Sequence, residues 1–125
     1  MSKRLDQAEH NERLSVQLYT EGTFLDWANT TAFYSALHFV HHKLLPGTYN
    51  NQLCNCIDDV AKAFNCKGKH EATNQLAQAG LPAIAVPYGF LMNCSFTARY
   101  HDYIVHPEHA KLCQKYLKNI KGLCS

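Results

Sequence analysis

From Thr23 to Leu45 the chain runs without a glycine or a proline, closed by Gly22 on one side and Pro46-Gly47 on the other. Such a stretch reads as one long helix, and Thr23-Phe24-Leu25-Asp26 reads as its start, with Thr23 as N-cap and an acid at the third helical position. Phe33, Leu37, Val40 and Leu44 then recur at i, i+4, i+7 and i+11, a single apolar stripe, while Ala28, Ala32 and Ala36 form a small-residue seam that lets a second helix come close. Composition points the same way: 27 Leu and Ala stand against nine Val and Ile, and unbranched side chains lose less rotamer freedom in a helix. An all-β fold is excluded.

Further helices are expected on both sides. Residues Arg4 to Tyr19 are good helix formers with Leu14 and Leu18 one turn apart, and Glu21-Gly22 is a stop. Leu53, Ile57, Val60 and Phe64 keep the helical spacing, so Tyr49 to Asn65 is predicted as a second amphipathic segment, followed by a short helix over His70 to Ala79. Leu81-Pro82 breaks the chain, Pro87 is expected in the first turn of the next helix, and Tyr88, Leu91, Ser95, Ala98 and Asp102 share one face. In the last helix Pro107 fits the first position, Glu108 complements the dipole, and Cys113, Leu117, Ile120 and Cys124 form the apolar stripe. The reading is one all-α domain over residues 1–125, an up-down bundle of four to five helices.

A formal charge of +2 does not mark a nucleic-acid binder by bulk electrostatics. The opening residues are polar, and the longest apolar run, Leu81 to Met92, is interrupted by Pro82, Pro87 and Gly89 and is too short for a bilayer. A soluble cytoplasmic protein, without membrane association, is expected. Cys54 and Cys56 form C-x-C and the other four cysteines are scattered, a pattern of reduced thiols rather than a disulfide framework or a Cys-ligated zinc.

The densest reactive segment is Arg99-Tyr100-His101-Asp102-Tyr103-Ile104-Val105-His106. Pro107 pushes His106 out of the α region and into the N-cap of the last helix, where a neutral imidazole is favoured and free backbone N–H groups would attract a phosphate. Arg99, about two turns upstream, can hold the same phosphate with its planar fork. The ordinary alternative is an ion pair between Arg99 and Asp102 at i, i+3, with His106 a simple cap. Lys111, Lys115, Lys118 and Lys121 form a basic stripe that can track an RNA backbone or be a solvated face. His38, His41 and His42 offer metal-ligand spacing, but the facing segments supply few carboxylates beyond Asp58 and Asp59, so no metal is expected; a Tyr34–His38 hydrogen bond inside the bundle, near Arg99, is the more economical use. Trp27, Phe33, Phe39, Phe90 and Phe96 read as core or interface packing.

Four segments together resemble the HEPN domains (higher eukaryotes and prokaryotes nucleotide-binding), and in particular a branch of small prokaryotic HEPN proteins. They are Asp26-Trp27-Ala28, Tyr34-Ser35-Ala36-Leu37-His38, Ala98-Arg99-Tyr100-His101, and Arg99 followed after six residues by His106; His70, after a Gly-containing turn, is similar to a further His of that branch. The resemblance covers roughly residues 24 to 107. It implies a helical bundle, often homodimeric, and a metal-independent endoribonuclease without cofactor. In that mechanism His106 or His101 deprotonates a ribose 2′-hydroxyl, Arg99 stabilises the phosphorane oxygens, and a 2′,3′-cyclic phosphate is left, with a second protomer adding its own pair. Tyr34, His38, His70, Tyr100, Tyr103, Lys111 and Lys115 are the expected contacts to RNA or nucleotide. The rival reading is a non-catalytic dimer that binds a nucleotide, an RNA or a nucleotidyltransferase partner.

Overall fold

The computed structural model describes residues 3–125 as six helices and one small hairpin: α1 (Lys3–Glu21), α2 (Leu25–Leu44), β1 (Gly47–Tyr49), β2 (Gln52–Cys54), α3 (Ile57–Ala63), α4 (Lys69–Gly80), α5 (Pro82–Tyr100) and α6 (Pro107–Leu123). The chain is an all-α bundle of five long helices with a seven-residue sixth, α3. The expected long helix is α2, and it is the hub: it packs on α1, α5 and α6 and also touches α4. Its stripe of Phe33, Leu37, Val40 and Leu44 is buried with Tyr88 and Leu91 of α5 and Leu117 and Ile120 of α6.

The alanine seam does what its spacing implies. Ala8 of α1 and Ala28, Ala32 and Ala36 of α2 have no exposed surface, and the close approach lets side chains of one helix reach the backbone of the next. Ser35 Oγ donates to the Ala8 carbonyl at 2.7 Å. Ser15 Oγ donates to the Ala28 carbonyl at 2.7 Å and accepts from Gln114 Nε2 at 2.7 Å, so one buried hydroxyl ties α1, α2 and α6 together. Each of these groups would be costly to bury unpaired. Lys121, the last lysine of the stripe, leaves that stripe to pair with Glu12 of α1 at 3.0 Å.

Several boundaries differ from the sequence expectation. Thr23 does not cap α2; Phe24 holds that position without a side-chain bond. The predicted helix from Tyr49 to Asn65 is a hairpin followed by the short α3, and Leu53, placed on the predicted apolar stripe, is 67% exposed. The reason is local: Tyr49 faces Gln52, so Asn50 and Asn51 form a two-residue turn, and both take positive φ (50° and 63°), which asparagine tolerates and the tight hairpin turn requires. Tyr49 folds back so that its hydroxyl donates to the Leu44 carbonyl at 2.6 Å, and its ring passes where a Cβ on residue 47 would stand, at 2.7 Å. Only glycine fits there. Pro82 rather than Pro87 opens α5, Pro87 lies inside the helix, and α5 ends at Tyr100, leaving Asp102 exposed and off the predicted face. Of the aromatics read as core or interface packing, Phe33 and Phe39 are buried in the core, Phe90 packs against it, and Trp27 and Phe96 are half exposed.

Among the described residues no helix is long and apolar enough to cross a membrane. All six cysteines are free thiols.

Candidate functional site

Arg99 sits near the end of α5 and turns toward α2. Its Nε donates to the Ser95 carbonyl at 3.3 Å and its Nη1 donates to the Tyr34 hydroxyl at 2.8 Å. These two bonds fix the guanidinium and leave three of its five N–H donors without a protein partner. The expected ion pair with Asp102 does not form: Asp102 Oδ1 instead accepts the Ile104 N–H at 2.9 Å, because α5 has already ended. The sole salt bridge among the described residues is Lys121–Glu12. Arg99 is therefore an anchored cation with no carboxylate beside it.

Aromatic rings enclose that cation. The guanidinium carbon lies 5.5 Å from the centroid of Tyr34 and 5.1 Å from that of Tyr100, within cation–π range. Tyr100, 66% exposed, packs on Phe96 at 5.0 Å, and His101 packs on the same phenyl ring at 5.4 Å, giving a ladder of exposed rings beside the charge. On the inner side, the His70 ring of α4 meets Tyr34 at 5.8 Å and Phe33 at 5.1 Å. Burial, and then the Arg99 cation, pull the His70 pKa below its ordinary value, and its Nδ1 is buried without a hydrogen-bond partner. Tyr34 thus joins the Arg99 guanidinium and the His70 imidazole at the junction of α2, α4 and α5.

Deeper on α2, His41 Nε2 and Thr73 Oγ1 are 2.8 Å apart, and the Thr73 hydroxyl donates to the Lys69 carbonyl at 2.7 Å, so it is His41 that carries the proton on Nε2 and donates. Burial first, then the nearby His38, Arg4, Lys69 and His70, lower the His41 pKa to about 3. His38 stands beside it, rings at 6.2 Å, half buried and lowered by that burial; no Tyr34–His38 hydrogen bond forms, because the Tyr34 hydroxyl serves Arg99. No three His, Cys, Asp or Glu side chains among the described residues are grouped to hold a metal ion.

His106 is the N-cap of α6, as its place before Pro107 predicts, and its Nδ1 accepts the Glu108 N–H at 3.1 Å. An imidazole that accepts at Nδ1 carries its proton on Nε2 when neutral, so the capped ring has no lone pair left to act as a base. The free amides expected around it are absent: Pro107 has none, Glu108 is bound to the His106 ring, and His109 and Ala110 both donate to the His106 carbonyl. This helix start is no phosphate cradle. His106 lines a pocket with Asn29, Asp102 and His109 in which Arg99 takes no part. Lys111 and Lys115 line a separate, wider depression with Tyr19 and Lys118, and Tyr103 is 73% exposed in the connection between α5 and α6.

The structure thus brings together Arg99, Tyr34, Tyr100 and His70, and forms no contact between Arg99 and His106. Two residues the sequence reading did not single out belong to the picture: Phe96, whose ring carries both Tyr100 and His101, was read as packing, and Asn29 lines the His106 pocket. Their exposed-aromatic and buried-amide characters become legible only once the helices are phased against one another. Compared with known proteins, the chain matches no family model, no curated protein and no solved structure.

Proposed function

We propose that this bundle binds single-stranded RNA, with Arg99 on a backbone phosphate and the neighbouring rings on unstacked bases. The observation that carries the reading is the anchored, carboxylate-free Arg99: three unused donors in a planar fork suit a phosphate, and Tyr34 holds the fork in place before the ligand arrives. Tyr100, Phe96 and His101 supply the stacking surface on which sequence-tolerant binding of single strands depends. The HEPN resemblance supports the same ligand and brings with it a homodimer, a cytoplasmic prokaryotic setting and a possible nucleotidyltransferase partner.

A second reading, metal-independent cleavage of that RNA, is favoured by His70. Its ring and the Arg99 guanidinium both meet Tyr34, and burial, then the Arg99 cation, lower its pKa and so favour the neutral form that a base needs. In this reading His70 takes the 2′-hydroxyl proton, the 2′-oxygen bonds to phosphorus, and the P–O5′ bond breaks. A 2′,3′-cyclic phosphate and a 5′-hydroxyl end result, the latter taking up a proton. His106 would act here only by giving up its cap.

The test is incubation of structured and single-stranded RNAs with the protein in EDTA, beside Arg99→Ala, His70→Ala, His101→Ala and His106→Ala, with chemical identification of new ends. Cyclic phosphate ends that vanish in Arg99→Ala and His70→Ala but persist in His106→Ala establish cleavage by the cluster. RNA that is bound and left intact establishes binding alone. RNA that is neither bound nor cut refutes both.

A further inference from the structure

Of the six free thiols, Cys94 of α5 and Cys113 of α6 are hydrogen-bonded to one another across the packed pair of helices. Cys113 is fully buried in the core, and Cys94 is partly buried against the same core. Cysteines in such places are ordinarily small apolar side chains that fill space. Here the two differ in the way that oxidation chemistry uses. Cys94 keeps part of its surface in solvent and belongs to the wall of the pocket of about 220 Å³ beside His106, which a small oxidant can enter. Cys113 has no exposed surface. The Cys113 S–H donates to the Cys94 sulfur; that bond pulls the Cys94 thiol below its ordinary pKa against the effect of burial, and the same bond, with burial, pushes the Cys113 thiol up. The thiolate is the form that reacts with peroxides, so the reachable member of the pair is also the more reactive one, and a second, protonated thiol is already in contact with it.

We propose that Cys94 and Cys113 form a reversible intrachain disulfide when the protein meets a hydroperoxide, with Cys94 oxidised first and Cys113 resolving it. In the first step the Cys94 sulfur bonds to a peroxide oxygen, the O–O bond breaks, and the other oxygen leaves as water or an alcohol with the thiol proton, which makes a sulfenic acid of Cys94. In the second, the Cys113 sulfur bonds to the Cys94 sulfur, the S–O bond breaks, and the hydroxyl departs as water with the Cys113 proton. The two thiols together give up two electrons, and one peroxide is reduced. A thiol reductant reverses the bond by exchange, the transient kind of disulfide that a reducing compartment permits. The bond would fasten α6 to the stretch of α5 that precedes Arg99, whose Nε rests on the carbonyl of Ser95, the residue after Cys94. This chemistry requires neither RNA nor Arg99.

The experiment treats the reduced, folded full chain with hydrogen peroxide, then alkylates the remaining thiols and reads the digested protein by mass spectrometry, beside Cys94→Ser and Cys113→Ala, with dimedone added to a second set as a trap for sulfenic acid. The unaltered protein is expected to lose two hydrogen atoms in mass, to yield peptides joined through Cys94 and Cys113 while the other thiols stay alkylatable, and to regain all six thiols in dithiothreitol. Cys113→Ala is expected to stop at the trapped sulfenic acid on Cys94, and Cys94→Ser to leave Cys113 a thiol. Circular dichroism checks each variant before oxidation. Should Cys113→Ala not fold, the joined peptides and the early dimedone adduct of the unaltered protein carry the test. Cys94 and Cys113 that stay alkylatable under a large excess of peroxide, bonds that form as readily between other cysteines, or a dimedone adduct on Cys113 in place of Cys94 would overturn the proposal.

Discussion

Acidification should weaken this fold through His41, and the size of the effect follows from its surroundings. In the folded chain His41 stays neutral down to about pH 3, whereas the unfolded side chain titrates at 6.5. Between those values the unfolded state binds a proton that the folded state refuses, so stability is full above 6.5 and falls as pH drops toward 3. Each pH unit in that window costs about 1.4 kcal/mol, so going from neutral to about pH 5 costs about 2 kcal/mol. The result hardly depends on the folded value, provided it lies well below pH 5. The repelling groups around His41 are His38, Arg4, Lys69 and His70, and none can compensate an imidazolium. The assay is urea unfolding at about pH 7.5 and about pH 5, for the protein and for His41→Gln, which keeps a donor toward Thr73 but cannot titrate. With a slope of roughly 1–3 kcal/mol per molar urea for a chain of this size, the midpoint of the unaltered protein should fall by about 1 M more than that of the variant. His38 and His70 are also lowered, and their contributions are shared by both proteins and cancel in the comparison. Parallel loss of stability in the two proteins would refute the reasoning.

Two other predictions concern the scaffold. Ser15→Ala removes the hydroxyl that joins three helices and leaves Gln114 Nε2 buried and unpaired, so it should cost about 1–3 kcal/mol in chemical denaturation despite deleting a single atom. Leu53→Glu should change stability by less than about 0.5 kcal/mol, because Leu53 lies on the exposed face of the hairpin; a loss of about 2 kcal/mol or more would restore the helix that the periodicity implies.

Legibility in the sequence follows the range of the interactions. The long helices could be read because their stripes of Phe33, Leu37, Val40 and Leu44, and of Cys113, Leu117 and Ile120, are periodic and buried. The cap at His106 could be read because Pro107 restricts the residue before it. The hairpin could not be read from periodicity, since Leu53, Ile57, Val60 and Phe64 imitate a helix; the Asn50-Asn51 pair was the available signal, and its positive φ values decide the matter. At the site, the sequence offered Arg99 an ion pair with Asp102 and a shared phosphate with His106, and paired Tyr34 with His38 nearby. The observed partner of Arg99, Tyr34, is 65 residues away, and Asp102 was lost to it when α5 ended at Tyr100. Sequence supplies the residue types of such a cluster, and helix phase decides which of them meet.

The proposed RNA binding rests on Arg99 as a phosphate contact. The measurement that addresses it most directly is the affinity of a short single-stranded RNA for the protein and for Arg99→Ala across a range of salt concentrations, with circular dichroism as the check on folding. Loss of a charge-assisted contact should cost about 1.5–3 kcal/mol, roughly a ten- to hundredfold weaker complex, and the salt dependence should lose the contribution of about one phosphate. A folded Arg99→Ala that binds the RNA as tightly as the unaltered protein, with the same salt slope, would contradict it.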